Sequence, residues 1–270
     1  ASSGIVIGAG WNGARAFTTT SGPGISLMSE FIGLAYFAEV PAVIVDVQRG
    51  GPSTGMPTRT QQSDLLACAY ASHGDTKHVL LFPEDPHECF EFAAASLDLA
   101  ERLQTPIFLM TDLDIGMNHR LCAPLKWDDN RQSDRGKVMS EAELEAGRDF
   151  GSTKDAYARY SEAGPDYVYN MERLLKKFAT AAKLVPQPVI AGAAQKTSHG
   201  VIYYGSTSPS MNEALDELER QGVHLDRLRV RAFPFAPSVK KFITEHESVF
   251  VIEQNRDGQL RSMLINELQI

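Results

Sequence analysis

The chain has 270 residues, enough for one large α/β domain or two ordinary ones, and its 43% apolar and 22% charged content is that of a folded globular protein. A formal charge of −8 leaves no basic excess to neutralise phosphates, which excludes a general nucleic-acid binder. Three widely spaced cysteines, Cys68, Cys89 and Cys122, form neither a disulfide framework nor a C-x-x-C cluster, so they read as buried free thiols. No apolar run approaches the roughly 20 residues of a membrane span, and the N-terminal residues lack a basic-then-apolar export pattern, so the expected location is the cytoplasm.

In chain order, the first pattern is Gly8-Ala9-Gly10-Trp11-Asn12-Gly13, a literal G-x-G-x-x-G after an apolar run. As a dinucleotide fingerprint it needs a strand before it, a helix after it and an acidic residue about 20 positions on. Arg15–Thr20 is strand-like instead, and Glu30 falls inside the next predicted helix. An NAD-linked Rossmann oxidoreductase is therefore the alternative rather than the main reading.

Residues 16–114 alternate as an α/β unit. Ala16–Thr20 reads as a strand, Ser21-Gly22-Pro23-Gly24 as a turn and Ile25–Ala38 as a helix. Ala42–Val47 is a nearly continuous apolar run, the form of a parallel strand covered on both faces. Val79–Phe82 is a further strand. Asp85-Pro86-His87-Glu88 then opens a helix with a cap, a first-turn proline and a capping-box glutamate, and Ile107–Met110 resumes the sheet up to Asp112. Residues 119–198 read as an irregular linker carrying one helix, Tyr167–Lys183. A second unit over 199–270 has strands at Val201–Tyr204, Leu228–Phe233 and Val249–Glu253, with helices at Pro209–Arg220 and Pro237–His246 and after Asn255. No internal repeat is evident.

Ligands in open α/β sheets bind beyond the carboxyl ends of the strands, where Gln48-Arg49-Gly50-Gly51-Pro52-Ser53-Thr54-Gly55 follows the Ala42–Val47 strand. A planar guanidinium there suits a carboxylate or phosphate; lysine lacks its two-pronged donor set. A turn arginine at the surface is the bland alternative. Thr20–Gly24 offers hydroxyls and helix-start amides for a polar pocket, or is a plain connection. Gln62 and Asp64 read as loop-ordering or interface residues, and His73 as structural or at a subunit contact. Asp112 and Glu253 lie at strand ends without an assigned ligand. Glu30 and Glu39 read equally as buttresses of the site or as capping and solvated residues. His87-Glu88-Cys89 is not a zinc motif, and neither H-E-x-x-H nor G-x-S-x-G occurs, so no metal site is expected in this chain.

T-S-G-P-G (Thr20–Gly24), S-L-M-S-E-F-I-G (Ser26–Gly33), E-V-P-A-V (Glu39–Val43), Q-R-G-G-P-S-T-G-M-P-T (Gln48–Thr58), Gln62–Leu65, His73–Asp75, Val251–Asn255 and Gly258–Leu260 together resemble the α subunit of 2-oxoacid:ferredoxin oxidoreductases, nearest the 2-oxoglutarate branch. The resemblance implies an α/β fold: a pyrimidine-type thiamine diphosphate domain with a doubly wound parallel sheet over 1–118, the linker, and a smaller transketolase-C-terminal-like domain over 199–270. It also implies oxidative decarboxylation of a 2-oxoacid to acyl-coenzyme A, with ferredoxin reduced, in a heterotetramer. Arg49, with Ser53 and Thr54, would bind the substrate, and Thr20, Ser21, Gly22, Pro23 and Gly24 would lie beside thiamine diphosphate. Gln62, Asp64 and His73 would support the site or an interface. Mg2+ and the iron–sulfur cluster would be held mainly by the β subunit, and coenzyme A would be a co-substrate. A non-catalytic assembly subunit is the other alternative. The family's activating glutamate and Y-P-I-T-P-type loop would precede Ala1, and a longer insertion is expected near Phe150-Gly151-Ser152. An incomplete chain is the expectation.

Overall fold

The computed structural model describes residues 2–52, 56–136, 155 and 159–270. Ser53, Thr54 and the Phe150-Gly151-Ser152 region lie outside the described residues.

The first helix, α1 (Ser2–Trp11), contains Gly8 and Gly10. A Cβ on Gly10 would stand 2.4 Å from the Pro41 carbonyl oxygen, so that glycine allows close packing. With these glycines inside a helix rather than between strand and helix, the dinucleotide reading fails.

The first sheet is built from β1 (Phe17–Thr20), β2 (Ala42–Gln48), β3 (Val79–Leu81), β4 (Pro106–Asp112) and the short β8 (Ala232–Phe233), in the order β1-β2-β4-β3-β8. Its first four strands are parallel, with Thr20 opposite Asp46 and Gln48 opposite Asp112; β8 joins β3 antiparallel. Helices α2 (Gly22–Phe37) and α3 (Leu65–Ala69) cover one face and α4 (Pro86–Leu103) the other, while α5 (Leu113–Met117) follows β4 directly. The α4 start matches its sequence pattern: Asp85 Oδ1 accepts the Glu88 amide at 2.7 Å, and Glu88 accepts the Glu84 amide at 3.0 Å.

The long helix α6 (Gly164–Leu184) is not a mere linker element. Leu174 and Ala181 are buried, and Phe178 packs against the cores on both faces. A second sheet, in the order β5-β7-β6-β9, comprises β5 (Val189–Ala191), β6 (His199–Tyr204), β7 (Asp226–Val230) and β9 (Ser248–Val251). It is flanked by α7 (Ser208–Arg220), α8 (Pro237–Thr244) and α9 (Gln259–Leu268).

The strand expected over Leu228–Phe233 is therefore two strands belonging to two sheets. The crossing is at Arg231, whose carbonyl accepts the Phe82 amide at 2.8 Å and whose guanidinium reaches Glu88, which also takes Arg229 at 2.7 and 2.8 Å. One apolar core then runs from Ile25, Ile44 and Phe108 to Tyr204, Leu228 and Leu260. The cysteines are free, but only Cys68 is buried; Cys122 is exposed because residues 118–136 form no helix or strand to cover it.

Candidate substrate and cofactor site

The candidate site lies at the carboxyl edge of β1 and β2. The expected turn at Ser21–Gly24 is in fact the first turn of the 16-residue α2: Ser21 is the N-cap in extended conformation and Pro23 sits in the first turn, where it costs no helical hydrogen bond. The Ser21 carbonyl accepts the Gly24 and Ile25 amides at 2.7 and 3.1 Å. A side chain at either glycine would have to displace a neighbouring side chain or shift the start of α2. A Cβ on Gly24 would fall 1.7 Å from Thr20 Oγ1, and one on Gly22 would fall 2.3 Å from Asp64 Oδ1. The Ser21 hydroxyl makes no capping bond, so with Thr20 it gives this edge a polar lip.

Arg49 follows β2 directly and is half-buried, with Nη1 donating to the Gly50 carbonyl at 3.1 Å. The loop beyond it folds back: Gly50 bridges Met56, and the Gly50 amide donates to the Arg59 carbonyl at 2.6 Å. The Arg49 charge acts on Asp46, on β2, and on Asp64, the N-cap of α3. Asp64 in turn accepts the Gly22 amide at the start of α2. Arg49 and the T-S-G-P-G segment are thus joined through Asp64.

Gln62 lies wholly inside the chain. Its Nε2 donates to Asp112 Oδ2 at 3.3 Å and to Ser206 Oγ at 3.4 Å, and its Oε1 accepts from Thr207 Oγ1 at 3.2 Å and from the Gln254 amide at 3.3 Å. Asp112 Oδ1 caps α5 through the Ile115 amide, and its Oδ2 also accepts the Ser206 hydroxyl. This buried network joins the carboxyl ends of β4, β6 and β9. Glu253 caps α9, accepting the Leu260 and Arg261 amides at 2.8 and 3.2 Å.

His73 stands apart, 82% exposed and 3.4 Å from the equally exposed Glu30. Glu39 does not buttress the site. It lies before β2, at the opposite end of the sheet, where Arg173 and Lys177 of α6 grip it. Sequence reading missed Asp46; its one signal was a carboxylate inside an otherwise apolar buried strand.

The edge fits the polar rim of an organic cofactor better than its diphosphate, because the Gly22 amide that would meet an anion already holds Asp64. Among the described residues no cluster of His, Cys, Asp and Glu suits a metal ion. Two cavities, of about 270 Å³ between Phe17 and Trp127 and about 400 Å³ beside Trp11 and Glu39, include none of the predicted site residues. No helix among the described residues is long and apolar enough to cross a membrane.

Residues 1–189 match the family described as pyruvate flavodoxin/ferredoxin oxidoreductase, thiamine diphosphate-binding. The chain is 30% identical to the 2-oxoglutarate synthase subunit KorA of Methanocaldococcus jannaschii, an alignment covering 93% of this chain and 72% of that protein. It is 30% identical to the 2-oxoacid:ferredoxin oxidoreductase subunit alpha of Saccharolobus solfataricus, over 95% of this chain and 45% of that one. Among solved structures, a 2-oxoglutarate:ferredoxin oxidoreductase from Magnetococcus marinus, with 2-oxoglutarate, coenzyme A and succinyl-CoA bound, superposes with a TM-score of 0.82 at 26% identity, covering 98% of this chain and half of that one. A split-gene transketolase, at 11% identity and a TM-score of 0.53, supports the fold alone. The match over residues 1–189 and the span shared with the archaeal relative make the chain a member of the 2-oxoacid:ferredoxin oxidoreductase α-subunit family, with its thiamine-diphosphate-binding α/β fold.

Proposed function

We propose that the chain takes part, as the α-subunit portion of a complex, in oxidative decarboxylation of a 2-oxoacid to its acyl-coenzyme A, with ferredoxin as electron acceptor. 2-Oxoglutarate, giving succinyl-coenzyme A, is the substrate proposed first. The observation that carries this reading is Arg49, half-buried at the carboxyl end of β2 and joined through Asp64 to the start of α2.

Thiamine diphosphate, when bound, supplies the nucleophilic carbon for attack on the keto group. The chain's own residues bind and orient. Arg49 holds the substrate carboxylate as a two-pronged cation, and Ser53 and Thr54 take part in substrate binding. Thr20 and Ser21 offer hydroxyls to the cofactor's polar edge, and Gly22, Pro23 and Gly24 keep that wall free of side chains. Gln62 and Asp64 support these positions, and His73 belongs to the contact with the β subunit. That partner holds Mg2+ and the iron–sulfur cluster. The chain is read as a thiamine unit (1–118), a connecting segment (119–198) and a transketolase-C-terminal-like unit (199–270) of a cytoplasmic heterotetramer; the two sheets follow this division except that β5 lies in the connecting segment and β8 joins the first sheet.

The test is co-expression of the full-length chain with its β partner, followed by assay of coenzyme A-dependent viologen or ferredoxin reduction. Pyruvate, 2-oxoglutarate and branched 2-oxoacids are compared. Turnover, fastest with 2-oxoglutarate, is expected. A complex that assembles but turns over none of them would make the chain an assembly subunit.

A further inference from the structure

Ile44, Asp46 and Gln48 alternate along β2 toward the face that α2 and α3 cover, and the middle one is a carboxylate with no exposed surface. Asp64 comes to it from the start of α3, placed by its own amide donating to Gln48 Oε1 at 3.3 Å. The Asp64 charge acts on Asp46. Asp46 Oδ1 and Asp64 Oδ2 are both buried and have no hydrogen-bond partner among the described residues. A proton on one of the two groups would give these orphaned oxygens a partner, and two neighbouring buried carboxylates do not both ionise near neutrality. Burial, then the neighbouring Asp64 charge, holds Asp46 well above the usual carboxylate range.

The surroundings fit a pair with one negative charge. The Cys68 thiol lies 3.8 Å from Asp46 Oδ2 on the α3 side, Arg49 supplies positive charge beyond β2, and Gly22 gives its amide to Asp64 from α2. Tyr204, at the end of β6, donates its hydroxyl to the Gln62 carbonyl at 3.2 Å and is kept neutral, chiefly by burial, with the charges of Glu253, Asp112, Asp64 and Asp46 adding to it.

We propose that Asp46 and Asp64 share one proton and act as a positioning pair: in the singly charged state they lock the start of α2 to β2 and leave Arg49 net attractive to an anionic substrate. A doubly charged pair would offset the Arg49 charge and repel the Gln48 side-chain oxygen and the substrate carboxylate alike. The link to substrate rests on the reading of Arg49 given above; the shared proton does not.

The test uses the full-length chain in complex with its β subunit, as wild type and as Asp46→Asn, Asp64→Asn, Asp46→Ala and Arg49→Ala. Infrared difference spectra at neutral pH, wild type minus Asp46→Asn or minus Asp64→Asn, are expected to contain the carbonyl stretch of one protonated carboxyl group. The 2-oxoacid KM of the wild type should rise in alkali as the pair loses its proton, while the coenzyme A KM stays level. Asp46→Asn, which keeps one negative charge, should abolish that alkaline rise. Asp46→Ala should raise the 2-oxoacid KM about tenfold at every pH, the scale of one lost hydrogen bond to a charged group, and Asn should restore most of it. If Asp46→Ala does not fold, the Asn variants decide. Absence of the protonated-carboxyl band, or an alkaline rise that persists in Asp46→Asn, overturns the proposal. A band that is present while Arg49→Ala leaves the 2-oxoacid KM unchanged overturns the substrate reading and the coupling to it, but not the shared proton.

Discussion

Glu39 and the Asp46–Asp64 pair lie toward opposite ends of the same strand, and burial raises all three while their partners send the outcomes opposite ways. Glu39, just before β2, is pushed upward by burial, but the hydrogen bonds and charges of Arg173 and Lys177 outweigh this and hold it below the usual carboxylate range. Asp46, near the carboxyl end of β2, has another acid as its neighbour: burial raises both members, and the Asp64 charge raises Asp46 further. The signs for stability follow. Glu39's contribution is present above the ordinary carboxylate range and is lost as pH falls through its lowered value. The pair's contribution is complete below that range and is lost as pH rises through its raised value. The difference teaches what each end of the sheet is for. At the amino end the Glu39 charge is matched and α6 is pinned to the sheet; at the carboxyl end the proposed shared proton sits beside the cation proposed to bind substrate.

The largest expected effect at the matched end comes from Glu39→Ala, which leaves Arg173 and Lys177 without their carboxylate. Urea denaturation should report a loss of about 3–5 kcal/mol, the range for breaking a buried ion pair from one side. A loss under about 1 kcal/mol would mean that the two ends do not differ as described.

His78 isolates what burial does without a charged partner. It is fully buried, its Nε2 lies 3.0 Å from the Ala71 carbonyl, and the rings of Tyr36 and Phe108 pack at 5.2 and 5.3 Å. Burial pushes it down from 6.5 to about 4. Its neutral form contributes fully above pH 6.5, and that contribution is lost as pH falls toward 4. The loss is about 3 kcal/mol at about 1.4 kcal/mol per unit. His78→Gln, which keeps a donor for Ala71, should flatten the acid side of the stability–pH curve; an unchanged slope would show that His78 titrates normally.

A smaller effect belongs to Gly24→Ala. The added Cβ overlaps Thr20 Oγ1, so either the threonine rotates or the start of α2 shifts, at about 1–3 kcal/mol. Activity of the complex should fall more than stability, because Thr20 is proposed to face the cofactor. Equal losses in both would make the glycine a packing residue only.

Much of the scaffold could be read from local pattern. The apolar Ala42–Val47 run became β2, and the Asp85-Pro86-His87-Glu88 start became a capped helix, because both signals are complete within a few residues. The misses have two causes, elements too short to show a period and contacts distant along the chain. Helices α3 and α5 span five residues each, too short to display a period, and are started by Asp64 and Asp112. Strand β5, an exposed edge after Pro188, exists through pairing with β7. The break at Arg231 is set by Glu88 on α4, and no local residue announces it. At the site, Arg49 and Thr20–Gly24 stood out by composition. Asp46 became meaningful only when the fold brought Asp64 against it.

The most direct measurement is the 2-oxoacid kcat/KM of Arg49→Ala and Arg49→Lys in the full-length chain assembled with its β subunit. A loss of about 2–4 kcal/mol for alanine is expected, with little rescue by lysine and an unchanged coenzyme A KM. Kinetics indistinguishable from wild type in an intact, cofactor-loaded complex would contradict the placement of the substrate carboxylate on this cation.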